Sequence, residues 1–157
     1  MARPVLSPRP LQPTTTQQLI SAGLHPLLAQ LFASRAVTDI AQTSQRWNSL
    51  LAPHSLQDIQ RGTQLLADAI EEQWRIVIVA DYDCDGATAC AIGIRALTEM
   101  GADVDYFVPN RFETGYGLSP EVVKLLLEHP NGKPDLIVTV DNGIASVDGV
   151  AFANQMG

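Results

Sequence analysis

Cysteine is scarce in this chain: Cys84 and Cys90 are the only two among 157 residues. They form neither a disulfide framework nor a thiolate pair for a metal, which fits a reducing compartment. Histidine is nearly as rare. His25, His54 and His129 lie outside every acidic motif of the chain and read as surface or packing residues. No run of about 18 apolar residues is present, so no membrane-spanning helix is expected. The opening Met1-Ala-Arg-Pro leads into a proline-rich polar stretch without the apolar core of a secretory leader. Together these absences point to the cytoplasm. What remains is an ordinary globular composition, 46% hydrophobic and 17% charged, with mean hydropathy near zero and length enough for one domain with its own core.

Positive charge is also in short supply, with ten Lys and Arg against seventeen Asp and Glu and a net charge of −7. The imbalance is local. Residues 1–61 hold five arginines and two acids, whereas residues 62–157 hold five basic and fifteen acidic residues. Bound divalent cations would offset part of that acidic excess. The scattered acids otherwise read as solvated helix faces.

Residues 1–13 include four prolines and read as an extended arm. Leu19, Ile20, Leu24, Leu27, Leu28, Leu31 and Phe32 suggest two short helices broken between Gly23 and Pro26. The stretch from Val37 to Pro53 carries only weak helical signals. Ser55 is positioned to cap a helix running to about Gln73. Then the pattern changes. Apolar runs at 75–80, 104–108 and 136–140 read as strands. Between and after them come helices from Ala87 to Met100, from Pro120 to near His129, and from about Ala145 onward. Strand and helix alternate, which predicts an α/β fold: a parallel sheet with flanking helices and right-handed crossovers, preceded by a small helical region. We divide the chain at 1–53 and 54–157. Three strands are few for such a sheet, and the sequence reads as a piece of a larger protein.

Two of the strands run directly into acids. Arg75-Ile-Val-Ile-Val-Ala80 leads into Asp81-Tyr-Asp-Cys-Asp-Gly86, and Leu136-Ile-Val-Thr-Val140 leads into Asp141-Asn-Gly143. Open parallel sheets bind ligands beyond the carboxyl ends of their strands, so two strands deliver carboxylates to one rim. In an extended segment Asp81, Asp83 and Asp85 share one side, with Tyr82 and Cys84 facing the other way. Such carboxylates repel unless cations hold them or their pKa values rise. Oxygen donors suit Mg²⁺ or Mn²⁺ rather than Zn²⁺. Two carboxylate sources on neighbouring strands can bridge a pair of ions about 3.5–4 Å apart, the arrangement of two-metal phosphoester hydrolysis. Helix capping accounts for one such Asp but poorly for three. An EF-hand loop also begins D-x-D-x-D-G, but its twelfth position would here be Ile92 instead of Glu, which excludes it.

DYDCDG at 81–86 resembles the first motif of the DHH phosphoesterase superfamily, and VDNG at 140–143 resembles the second. VPNRFETGYGLSPEVV at 108–123 and HPLLAQLFASRAV at 25–37 are similar to segments of one branch, the bacterial RecJ family of single-strand-specific DNA exonucleases. The resemblance implies Mn²⁺- or Mg²⁺-dependent 5′→3′ hydrolysis of single-stranded DNA in repair and recombination, with single-stranded DNA as partner alongside other repair proteins. It maps metal ligation and catalysis onto Asp83, Asp85 and Asp141, with Asp81 also standing in the motif. It makes Arg111 a phosphate-holding residue, with Tyr116 and Gly117 beside the substrate; Tyr116 either stacks on a base or pins its loop to the core. The tripeptide that names the superfamily is missing, so residues 1–157 alone are expected to bind metal weakly and to show little catalysis. Other readings are a different DHH-type enzyme acting on small oligonucleotides or pyrophosphate, and a non-catalytic receiver-like module that binds Mg²⁺. Against the receiver stands its need for adjacent acids after the first strand, where this chain has alternating ones.

Overall fold

The computed structural model describes residues 7–157, so the first half of the expected N-terminal arm lies outside the described residues. The chain divides into two compact units, the first ending at Gln57 and the second beginning at Asp58. In the first, helices α1 (Pro13–Ser21) and α2 (Pro26–Ala33) each start on a proline, whose fixed φ suits the opening turn. Leu19 packs against Ala29 and Ala33 between them. Three short 3₁₀ turns follow, at Ile40–Thr43, Trp47–Ser49 and Pro53–Ser55.

The second unit opens with α3 (Ile59–Glu71). The helix expected from Ser55 begins four residues later, because the Ser55 hydroxyl instead donates to the Ala52 carbonyl and closes a 3₁₀ turn. Its far end is a Schellman turn. Gln73 takes a left-handed φ of 56°, while the Trp74 and Gln73 amides donate back to the Ala69 and Ile70 carbonyls. That turn feeds strand β1 (Arg75–Val79). Next come α4 (Cys84–Glu99), β2 (Asp103–Phe107), a single turn α5 (Arg111–Thr114) and α6 (Pro120–Leu127). The chain closes with β3 (Leu136–Thr139) and α7 (Val147–Met156).

The sheet is parallel with strand order β2-β1-β3, as the strand–helix alternation implied. Val79 lies opposite Phe107 on one side and Thr139 on the other, so all three strands end level at one rim. β1 is buried on both faces. Ile76 and Ile78 meet Ala69, Cys90 and Leu97 of α3 and α4. Val77 and Val79 meet Leu118, Val122, Val123 and Leu126, with Phe152 and Ala153 of α7 packed behind. Alternate side chains of one five-residue strand therefore nucleate two cores, which is why β1 reads as a continuous apolar run. No described helix is long and apolar enough to cross a membrane.

Candidate metal centre

The chain leaves β1 at Val79 and passes Ala80 to Asp81, which is buried at 8% exposure. The segment then does not stay extended. Asp83 is already the N-cap of α4, its Oδ1 accepting the Gly86 amide at 3.1 Å, and Asp85 stands in the first helical turn. The simple alternation expected for Asp81, Asp83 and Asp85 is replaced by a strand-to-helix turn. The helix starts three residues earlier than Ala87 because Asp83 can cap it. Gly86 makes the turn possible: a Cβ there would collide with the Asp81 carbonyl.

Asp141 arrives from β3 with a left-handed φ of 60°, a conformation Asp tolerates better than most residues. Two neighbours hold it there. Asn142 donates from Nδ2 to the carbonyls of Val79 and Val140 at 3.2 and 2.9 Å, bracing the ends of β1 and β3 against each other. Gly143, at φ +113°, tucks so close to Thr139 that any Cβ would strike its side chain. Loss of solvent around Asp141, followed by the carboxylates of Asp83, Asp85 and Asp81, pushes the Asp141 carboxyl above its ordinary pKa. The four aspartates thus feel one another at the same rim of the sheet, although Asp83, Asp85 and Asp141 are individually exposed.

Asp81 differs from the other three. Its Oδ1 accepts both the Tyr82 amide, at 2.8 Å, and the Nη2 of Arg111. The Arg111 guanidinium holds the Asp81 carboxyl below the usual carboxylate range, against the opposing effect of burial. The same pairing raises the pKa of Arg111 further. Arg111 opens the α5 turn, whose Asn110 cap accepts the Phe112 amide. Its guanidinium carbon lies 4.0 Å from the Tyr82 ring centroid and 5.3 Å from that of Tyr116. Tyr82 therefore shares the Asp81 side of the turn and does not face away from it. The Tyr116 hydroxyl donates to the Asp141 carbonyl at 3.0 Å, tying the 109–118 loop to the end of β3 while most of the ring stays open to solvent. Gly117, at φ +78°, passes beside Ser146, whose Oγ accepts the Leu118 amide at 3.0 Å. An open cleft of about 510 Å³ extends from Tyr116 and Asp141 along Gly143 and Ser146.

Among the described residues, no three His, Cys, Asp or Glu side chains close on a point as a finished metal cage would. The donor chemistry nonetheless fits a hard divalent ion, since the acidic groups that β1 and β3 deliver to this rim are carboxylates, the oxygen donors such an ion takes. The histidine of this unit stays out of it: His129 packs edge-on against Phe107, 4.0 Å from Asp105. In the first unit, His25 Nδ1 accepts the Leu27 amide at the start of α2. Two participants were missed in the sequence, the Asn142 brace and Tyr82 beneath Arg111. Both sit inside the acidic motifs, but only the turn geometry reveals their contacts.

The profile of the DHH family, N-terminal domain, matches residues 75–157. The chain is 44% identical over 138 residues to the single-stranded-DNA-specific exonuclease RecJ of Haemophilus influenzae, covering 87% of this chain and 24% of that protein. The Escherichia coli protein of the same name is 43% identical over 139 residues, covering 88% and 24%. The Bacillus subtilis one is 30% identical over 147 residues, covering 90% and 18%. Among solved structures, exonuclease RecJ bound to manganese is similar with a TM-score of 0.53 and 42% identity, covering 60% of this chain and 24% of that one. The chain spans about a quarter of the length of these first relatives.

Proposed function

The chain belongs to the DHH family, and from that premise we propose that it carries part of the metal site of a single-stranded-DNA-specific exonuclease. The enzyme would remove nucleotides 5′→3′ in the cytoplasm during repair and recombination, with single-stranded DNA and other repair proteins as partners. Residues 54–157 would be the N-terminal part of its phosphoesterase domain and residues 1–53 an appended helical region. The observation that carries the reading is the delivery of Asp83 and Asp85, after β1, and of Asp141, after β3, to one rim of a parallel sheet, where Val79 lies level with Thr139. The RecJ names of its relatives support the choice of single-stranded DNA over other phosphoesters.

In this reading Asp83, Asp85 and Asp141 hold Mn²⁺ or Mg²⁺. An ion held there would lower the pKa of a bound water and offset charge on the phosphate. Arg111 donates to a substrate phosphate from the part of its guanidinium turned away from Asp81, a charge-assisted contact. Tyr116 offers its open ring face to a base, and Gly117 lets the backbone pass close beneath. Residues 1–157 hold only part of such a site, so the chain alone would bind metal weakly.

The test is Mn²⁺-dependent nucleotide release from 5′-phosphorylated single-stranded DNA. It compares residues 1–157 with the full-length protein that carries them, each with Asp83→Ala and Asp141→Ala variants. Release by the full-length protein only, lost in both variants, is the expected result. Hydrolysis of pyrophosphate or dinucleotides with DNA left intact would keep the family and overturn the exonuclease.

A further inference from the structure

Among the described residues Asp81 is the one buried charged side chain, and its surroundings differ from those of a free metal ligand. Its Oδ1 is committed twice, to the Tyr82 amide at 2.8 Å and to Arg111 Nη2. Arg111 is in turn enclosed by three walls: Asp81 at its tip, the Tyr82 ring at 4.0 Å and the Tyr116 ring at 5.3 Å. The Tyr116 wall is tied to the Asp141 carbonyl, and the backbone of Asp81 is pressed against Gly86. The socket is thus built from the segments that present the exposed carboxylates, and it fixes where the guanidinium stands relative to them. Arg111 Nε and Asp81 Oδ2 are both buried without a partner, so the socket joins one guanidinium nitrogen to one carboxylate oxygen and leaves Arg111 donors unused.

We propose that Asp81 is a positioning residue, anchoring Arg111 at the rim of the carboxylate cluster and leaving metal ligation to Asp83, Asp85 and Asp141. A guanidinium and a divalent ion compete for the same carboxylate, and Arg111 already holds its Oδ1 from a half-buried, aromatic-walled seat. A carboxylate paired this way has part of its charge offset, so it adds less to the attraction for an ion nearby than an unpaired one does. The exposed aspartates have no such cation and keep theirs. Asp81 then acts through Arg111: the arginine is preorganised for an incoming phosphate, with its rotamer set before the ligand arrives. This inference rests on the phosphoesterase reading above.

The test uses the full-length protein, with Mn²⁺ binding measured by titration without DNA and steady-state kinetics measured on single-stranded DNA. Asp81→Asn and Arg111→Ala should each raise KM about 10- to 100-fold, the loss of one charge-assisted hydrogen bond, with kcat changed far less. Combined, they should do no more than Arg111→Ala alone, as expected of two residues acting as a unit. Mn²⁺ affinity should stay within about twofold in Asp81→Asn, while Asp83→Asn loses it. Because removing one partner of a buried pair can unfold a protein, Asp81→Asn/Arg111→Gln removes both charges together, conserves the net charge of the site and should bind Mn²⁺ as wild type does. Loss of Mn²⁺ in that double variant, or multiplicative effects on KM, would overturn the anchor. Wild-type protein that binds Mn²⁺ yet leaves DNA intact would sink the exonuclease reading alone, and Mn²⁺ titration would still decide the role of Asp81.

Discussion

At the scale of single residues, Asp141 and Gly143 show how closely carboxylate repulsion and backbone strain are placed. Asp141 has its carboxyl pKa raised by lost solvent and by three neighbouring carboxylates. For an acid the sign follows directly: the ionised form is worse off folded than unfolded, so stability falls as pH rises from the unfolded value through the higher folded one. Asp141→Asn should therefore raise the thermal midpoint of the metal-free protein at pH 7 and cancel stabilisation by added Mn²⁺. A calorimetric scan with and without Mn²⁺ reads both effects, and an unchanged midpoint together with intact Mn²⁺ stabilisation would count against the cluster. Two residues on, Gly143 combines a φ of +113° with contact against Thr139. Gly143→Ala should cost about 1–3 kcal/mol, read as a lower denaturant midpoint at constant m. The Asp types were legible in the sequence because three acids in five positions exceed what capping explains. The Asn142 brace and the Arg111 socket were not, since both depend on groups 30 or more positions apart in sequence meeting at one rim.

At the scale of elements, local chemistry accounts for what was readable and where it slipped. The Ser119-Pro120-Glu121 start of α6 behaves as its residue types require: Ser119 Oγ accepts the Val122 amide at 3.3 Å, with proline in the first turn and an acid near the positive helix end. Ser119→Ala should cost about 1 kcal/mol, measurable by chemical denaturation. The apolar runs located the three strands to within a residue, most clearly β1, which is buried on both faces. Two helix starts were misjudged for one reason. At Ser55 a plausible cap was drawn into a 3₁₀ turn, and at Asp83 an acid read for its charge turned out to be a cap. A short polar side chain can serve either role, and only the path of the following backbone decides. Helix α7 shows a further constraint that composition hides, since a Cβ on Gly149 would strike the Leu118 carbonyl. Gly149→Ala should thus lower the unfolding midpoint by displacing α7 from the turn before α6, an effect of about 1–3 kcal/mol.

Across the whole molecule, charge is organised at two places that respond oppositely to pH. Away from the aspartate rim, Asp105 accepts Asn131 Nδ2 at 2.6 Å and Arg75 Nη2 at 3.3 Å, with His129 nearby. Asn131 first, then the Tyr106 amide and the charges of His129 and Arg75, hold the Asp105 carboxyl below its ordinary value despite partial burial. Its contribution is complete above the unfolded carboxylate pKa of about 3.9 and disappears as pH falls through the lower folded value. Asp105→Asn should flatten the acid limb of a stability-versus-pH curve without altering the response to Mn²⁺. The α/β architecture was readable at this scale because strand–helix alternation has few topological solutions. The receiver-like alternative ends with membership of the DHH family.

The strand order has a kinetic corollary. Asp83 and Asp141 are almost sixty residues apart in the chain, and they meet only while β3, a four-residue strand hydrogen-bonded to β1, stays docked. Each transient detachment of that short strand carries Asp141 away from its partners, so under the proposed function an ion shared between the two halves would act as a clasp on the opening. A ligand that binds only the closed form raises the free energy of opening in proportion to the logarithm of its concentration over its dissociation constant. The amide hydrogen of Val140, which donates to the Val79 carbonyl of β1 at 3.2 Å, should therefore exchange more slowly as Mn²⁺ is added, whereas those of β2, which contributes no carboxylate to the cluster, should slow much less.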